Sequence, residues 1–296
     1  MFELKSQNAN AYWRLMRANK PIGVYLLLWP TLWALLIASY QATSHGIPSL
    51  HIAIVFILGV FLMRSAGCVI NDFADRHFDG KVKRTKDRPL ATGEVSEQEA
   101  IQLFILLIGL SFILVLTLNW QTIFLSVFAL ILASIYPFMK RYTHFPQVVL
   151  GAAFSWSIPM AAMAVITDLP GWVWWLYAGN LVWTVAYDTQ YAMVDREDDL
   201  KVGIKSIAIF FGKYDLAAIA LLQLTFVGIL VFVFNDLEIP WPATVGLLLA
   251  LGLFIRQWAL TRRRNEKACF EAFLNNHIAG MLITIGLLVA TSFNIK

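Results

Sequence analysis

The stretch Asn71-Asp72-Phe73-Ala74-Asp75-Arg76-His77-Phe78-Asp79 closes an apolar run that begins near residue 50. A second stretch, Asp188-Thr189-Gln190-Tyr191-Ala192-Met193-Val194-Asp195-Arg196-Glu197-Asp198-Asp199, closes another that begins near residue 171. A bilayer does not tolerate such clusters idly, because one charged side chain at its centre costs roughly 3 kcal/mol on insertion scales. At about 100° per residue on an α-helix, Asp72, Asp75 and Asp79 fall within an arc of about 60°, and Asp188, Asp195 and Asp199 within about 40°. Each run therefore presents a carboxylate stripe, and two facing stripes would form a site for polyvalent cations. Glu197 and Asp198 point off the second stripe and read as solvated.

The rest of the chain explains the apolar setting. Hydrophobic residues make up 59% of its 296 residues and charged residues 14%, with a mean hydropathy of +0.66. Soluble domains carry about 25% charged residues. Runs long enough to span a membrane are expected near 21–40, 50–70, 98–118, 120–139, 146–166, 171–190, 214–234, 241–260 and 277–293. The fold class is thus an all-α polytopic bundle of nine transmembrane helices around a central cavity, with residues 1–296 as one domain.

Basic residues test that count independently. If the N-terminus lies inside, 22 of the 23 lysines and arginines fall on inner segments or inner helix ends, with Lys296 as the exception. The positive-inside rule then places the N-terminus and both acidic runs on the cytoplasmic side. The formal net charge of +4 becomes a topological signal, with no aromatic-interleaved basic surface suggesting nucleic acid. Residues 1–20 hold no apolar core before a cleavage site, so no signal peptide is expected. Cys68 and Cys269 match neither a disulfide framework nor zinc spacing, and both read as ordinary small apolar residues. Asp72 and Asp188 close the second and sixth spans, which suggests two four-helix halves plus a ninth helix. Ser96-Glu97-Gln98-Glu99 reads as a capping box opening the third.

Magnesium suits the stripes. It is a hard cation held by one or two carboxylates plus substrate phosphates. A diphosphate could not approach six aspartates without intervening metal. Metal bound there would stabilise charge developing on a departing diphosphate, and a lipid-tailed substrate explains the membrane setting. Asn71 lies about 100° from Asp72 and can still cap a helix end or ligate metal.

Asn71-Asp72-x-x-Asp75-x-x-x-Asp79 with Asp188…Asp195-x-x-x-Asp199 resembles the intramembrane aromatic prenyltransferase (UbiA) superfamily. Further segments resemble its 4-hydroxybenzoate polyprenyltransferase branch, from bacterial ubiquinone synthesis. They are Arg14-Leu-Met-Arg17-x-x-Lys20-Pro21-Ile-Gly, Leu-Trp29-Pro30-Thr-Leu-Trp33, Arg64-x-Ala-Gly-Cys68, Tyr136-Pro137-Phe-Met-Lys140-Arg141, Gly151-Ala-Ala-Phe-x-Trp156 and Tyr187-Asp188-Thr-Gln-Tyr191. The resemblance runs from about residue 12 to 280. It implies Mg²⁺-dependent alkylation of 4-hydroxybenzoate, ortho to its hydroxyl, by a polyprenyl diphosphate in the inner membrane, with no obligate protein partner. Asp72, Asp75 and Asp79 would hold one Mg²⁺, and Asp188, Asp195 and Asp199 the other. Asn71, Arg64, Arg88, Lys140 and Arg141 are candidate substrate contacts, each basic one alternatively a positive-inside anchor. A bidentate fork favours Arg141 for the carboxylate. Trp29, Trp33, Trp156 and Tyr187 read as packing or interface anchors, and His77 and His144 as loop histidines.

Two other readings stay open at this stage. A cation-coupled transporter would scatter its acidic residues near mid-helix over several helices, whereas here they cluster at helix ends. Among enzymes, the CDP-alcohol phosphotransferases need Asp-Gly-x-x-Ala-Arg, but Asp79-Gly80 is followed by Lys-Val-Lys-Arg. A sister prenyltransferase with a dihydroxynaphthoate or similar acceptor is the nearest rival, which residue physics alone does not separate.

Overall fold

The computed structural model describes residues 3–43, 46–80, 85–203 and 205–292, with the side chains of 77–79, 140, 141, 198 and 202 outside the described residues. A short α1 (Ala9–Leu15) precedes the long helices α2 (Ile22–Thr43), α3 (Leu50–Asp79), α4 (Glu97–Val115) and α5 (Trp120–Ile135). Then come α6 (Pro146–Ser155), α7 (Ser157–Ile166), α8 (Gly171–Val202), the short α9 (Ile207–Phe211), α10 (Asp215–Asp236), α11 (Pro242–Thr261) and α12 (Glu266–Ser292). Among the described residues there is no strand.

Among the described residues, eight segments are long and apolar enough to cross a membrane. The 32-residue α8 completes nine, matching the expected count. Its hydropathy is diluted by Trp172, Trp174, Trp175, Tyr177, Asn180, Trp183 and Tyr187, of which Trp172, Asn180, Trp183 and Tyr187 are buried in the bundle while Trp174 and Trp175 are exposed. The fifth expected span is broken at Trp156 into α6 and α7. The ninth begins at Glu266, about three turns earlier than expected.

Length explains where the acidic runs sit. At 1.5 Å per residue the 30-residue α3 and the 32-residue α8 are about 45 and 48 Å long. A hydrocarbon core is about 30 Å thick, so each helix projects well beyond it. Both carboxylate stripes are therefore helical continuations of spans, not loops after them. Each stripe-bearing helix rests against the next long helix, α3 on α4 and α8 on α10, while α12 packs against α11, α2 and α8.

Helix ends are sealed as the pattern predicts. Ser96 accepts from the Glu99 amide at 3.2 Å and the Glu99 carboxylate accepts from the Ser96 amide at 2.8 Å, which closes the capping box of α4. The bundle centre is aromatic: Trp183 stacks on Phe226 at 5.3 Å and on Trp33 at 5.4 Å. A buried amide network then runs across four helices. Trp183 Nε1 donates to Asn276 Oδ1 (3.0 Å), Asn276 Nδ2 to Gln190 Oε1 (2.8 Å), and both Gln190 Nε2 and Gln223 Nε2 to Gln257 Oε1 (3.0 and 2.8 Å). Away from water, such groups must find partners within the protein, so this network ties α8 to α10, α11 and α12 immediately beside Asp188.

The pairing of α11 with α12 depends on two glycines. A Cβ on Gly246 would lie 2.5 Å from the Leu282 carbonyl oxygen, and one on Gly286 would lie 2.7 Å from that of Pro242. Both obstacles are backbone, so the helices would have to separate. Gly246→Ala is expected to cost about 1–3 kcal/mol through overpacking, seen as a lower midpoint of thermal unfolding in detergent. An unchanged midpoint would contradict the close approach.

Candidate active site

The first stripe is gripped from outside its own helix. Asp72 is buried, and Arg17 Nη2 donates to both its carboxylate oxygens at 2.9 and 2.8 Å. Arg88 Nη1 pairs with Asp72 Oδ1 at 2.9 Å. Such charge-assisted bonds are about twice as strong as neutral ones. Arg17 lies just past α1 with φ +58°, and its Nη1 donates to the Arg14 carbonyl at 3.0 Å. Sequence reasoning counted Arg17 among the inner basic residues and within a family-like segment, and assigned it no contact. Its available signal was its place in the Arg14–Lys20 segment, but nothing in the spacing pointed from there to Asp72, 55 residues on.

α1 is itself pinned beneath α4. Tyr12 donates to Glu99 Oε1 at 2.5 Å, and Asn8 Nδ2 to the same atom at 2.8 Å. Burial first, and then the bond to Glu99, push the Tyr12 phenol above its ordinary pKa. Further along α3, Asn71 Nδ2 approaches Asp75 Oδ2 at 3.4 Å, while Asn71 Oδ1 is buried without a hydrogen-bond partner. The Asp79 side chain lies outside the described residues.

The second stripe is braced by a residue the motif reading did not include. Asp215, fully buried at the start of α10, accepts from Arg196 of α8 and from Arg264, whose Nη2 lies 2.8 Å from Asp215 Oδ1. Arg264 Nη2 also donates to the Lys213 carbonyl at 2.8 Å. The bond to Asp215 raises the Arg264 pKa. Arg196 is the neighbour of Asp195, so this cluster holds the end of α8 against α10 and the α11–α12 connection.

Two turns before Asn71 on α3 lies Arg64. Its Nη1 donates to Cys68 Sγ at 3.0 Å, and its guanidinium stands 5.7 Å from the centroid of the Phe154 ring. From α2, Gly23 comes so close that a Cβ there would lie 2.3 Å from Arg64 Nε. Cys68 is therefore not the plain apolar residue expected, because its thiol receives a cationic donor. Cys269 does match that expectation, buried with Met193 and Ile219.

Among the described residues, no three His, Cys, Asp or Glu side chains converge into a ready-made metal cage. The donors are nonetheless hard oxygens on two helices, and the orphaned Asn71 Oδ1 sits beside Asp75. That set suits Mg²⁺, which takes few protein ligands and leaves other positions to water and phosphate.

With this geometry established, comparison with known proteins is direct. Residues 27–285 match the UbiA prenyltransferase family. The chain belongs to that family. Curated family members named 4-hydroxybenzoate octaprenyltransferase include one from Pseudoalteromonas atlantica, 60% identical over 93% of this chain and 95% of that protein. Others are from Pectobacterium atrosepticum, 58% identical over 94% and 95%, and Vibrio cholerae, 57% identical over 95% and 98%. A solved UbiA homologue from Aeropyrum pernix superposes with a TM-score of 0.78 at 26% identity, covering 90% of this chain and 97% of the homologue. One from Archaeoglobus fulgidus, solved with GPP and Mg²⁺, superposes at 0.71 and 19% identity over 95% and 99%.

Within the UbiA family frame the remaining candidates sort by position. Lys140 and Arg141 end a 3₁₀ turn, Tyr136–Arg141, and their side chains lie outside the described residues, as does that of His77. Trp33 is a core residue whose Nε1 donates to Thr284 Oγ1 at 2.8 Å. Trp156 Nε1 donates to the Leu125 carbonyl at 2.9 Å, where the helix breaks. Both match the packing role expected for them. The His144 ring packs near Phe210.

Proposed function

We propose that this chain transfers a polyprenyl group from a polyprenyl diphosphate to the 3-position of 4-hydroxybenzoate, releasing diphosphate, in ubiquinone synthesis. The observation that carries this reading is the near-full-length identity of 57–60% to 4-hydroxybenzoate octaprenyltransferases. The geometry supports it: two carboxylate-bearing helices, α3 and α8, are each longer than the hydrocarbon core is thick. The chain functions as one multi-pass domain of the bacterial inner membrane, its N-terminus and both acidic runs facing the cytoplasm. The inner-segment bias of lysine and arginine supports that orientation.

The metal is Mg²⁺, held by Asp72, Asp75 and Asp79 on one side and by Asp188, Asp195 and Asp199 on the other. When bound it supplies positive charge to the departing diphosphate. Arg17 and Arg88 keep Asp72 in place before loading and lie where diphosphate oxygens arrive. The allylic carbon–oxygen bond breaks, its electron pair leaving with diphosphate. The ring carbon ortho to the hydroxyl then bonds the allylic carbon, because the phenol oxygen stabilises the ring cation, and the ring proton is lost. Tyr187 and Phe154, around the acceptor space, exclude water that would otherwise capture the allylic cation.

Membranes containing the protein, Mg²⁺, radiolabelled 4-hydroxybenzoate and a long-chain polyprenyl diphosphate test the reading. Label should pass into organic solvent and stop doing so with excess EDTA. Absence of transfer to 4-hydroxybenzoate, with transfer to dihydroxynaphthoate instead, would assign the chain to a sister activity.

A further inference from the structure

We propose that the end of the bundle opposite the acidic runs carries a second binding site, which takes the ammonium headgroup of a zwitterionic phospholipid. It goes beyond the prenyl-transfer reading and asks nothing of the aspartate stripes.

A groove of about 490 Å³ opens where the last turns of α2 and α10 meet the start of α8. That volume lies within the range of small-ligand sites. Trp172, Trp175 and Phe232 form its aromatic walls, with Trp175 edge-on to Phe232 at 5.3 Å. Gln41 and Asp236 supply its polar groups. Among the described residues, Asp236 has no hydrogen bond or ion pair. The sign of the ligand follows from the charges nearby. Among the described residues, the connections and helix ends on this side hold Asp168, Asp236 and Glu238 and no lysine or arginine. An anionic headgroup would face that carboxylate without a cationic partner, whereas a cation neutralises it. Aromatic walls give a metal ion no oxygen ligands, but they attract an organic ammonium within about 6 Å of a ring.

Depth identifies the source of that ammonium. Trp120, Trp174, Trp175 and Trp241 are exposed on this side, at or beside the starts of α5, α8 and α11. Tryptophans gathered in this way mark the headgroup level of a bilayer. Ile166 and Leu237 complete the lining with apolar surface, against which the glycerol end of a lipid can lie. The phosphate of a zwitterionic headgroup also finds a place. α8 opens at Gly171 behind Pro170, with no side-chain cap and no acidic residue in its first turn. The first amides of a helix lack intrahelical partners, and its N-terminal dipole favours an anion. Gly171 is exposed and lines the groove. The headgroup therefore spans from the α8 amides to Asp236 of α10, phosphate at one end and ammonium at the other.

The test uses full-length protein in detergent, with phosphatidylethanolamine or phosphatidylglycerol of matched chains added, and bound lipid counted by native mass spectrometry. Wild type should bind the ethanolamine lipid about tenfold more tightly. Asp236→Asn, of the same shape and on the surface, should lower that affinity about tenfold, as expected for a lost bond to a charged group. Its affinity for the glycerol lipid should not fall. Trp175→Ala should weaken the ethanolamine lipid without any change in charge, and it decides the matter if the first variant does not fold. Prenyl transfer in the same detergent should stay unchanged in both, because Gly171 lies about 36 Å along α8 from Asp195. Equal binding of the two lipids by wild type, or an undiminished preference in Asp236→Asn, overturns the proposal. Free ethanolamine that displaces the lipid at equal concentration would assign the groove to soluble amines and overturn the lipid source.

Discussion

Asp195→Ala and Asp75→Ala each abolish prenyl transfer while the protein still inserts and accumulates in the membrane. Both carboxylates belong to same-face stripes on α3 and α8, and neither lies in the aromatic centre, where truncation would open a cavity. In the two-site reading each loss removes a hard oxygen donor from one side of the diphosphate, so charge on the leaving group goes uncompensated from that side. A fall in turnover of about 10³-fold or more is expected, equal to roughly 4 kcal/mol of barrier. Raising Mg²⁺ should recover a fraction of it, because a weakened site still fills by mass action. The measurement is transfer of labelled 4-hydroxybenzoate at matched protein levels over a range of Mg²⁺. Full activity in either variant would remove that stripe from the mechanism.

Asp215→Ala lowers stability more than it changes any substrate contact. Asp215 is fully buried and faces two arginines, Arg196 and Arg264, whose side chains remain 22% and 38% exposed. Removing the partner of a fully buried charge costs about 3–5 kcal/mol. Because water reaches these arginines, about 2–3 kcal/mol is the expected loss after discounting for screening. It should appear as a lower midpoint of thermal unfolding in detergent. Arg196 adjoins Asp195, so the released end of α8 should also raise the Mg²⁺ concentration needed for half-maximal turnover. Asp215→Asn keeps one acceptor oxygen of the two that Arg196 and Arg264 use, and should fall between. A midpoint equal to wild type would show that the cluster is not a brace.

The stripes, the nine spans and the capping box of α4 were legible in the sequence because each depends on local spacing. Hydropathy reports span length, 100° per residue reports the shared face of Asp188, Asp195 and Asp199, and Ser96 with Glu99 forms its box within one turn. The break at Trp156 was not legible, because an apolar run reads the same whether one helix or two cross it. Arg17, Asp215 and Arg264 were missed for another reason. Each lies in a polar connecting segment or at the first residue after one, where a charged residue is unremarkable, and each gains meaning from a partner far along the chain: Arg17 from Asp72, Arg264 from Asp215.

By itself, then, the sequence determined the membrane class, the helix count and the shared helix face of each acidic run, since all three follow from what neighbouring residues do along one helix. Tertiary structure alone decided that Asp72 is held by arginines from two other segments, that Asp215 braces α8, and that Arg64 is closed in by Gly23 of α2 and Phe154 of α6. Those facts depend on which helices pack together. That is set by close approaches such as Gly23 on Arg64 and Gly246 on α12, short-range steric fits that leave no periodic trace in the chain.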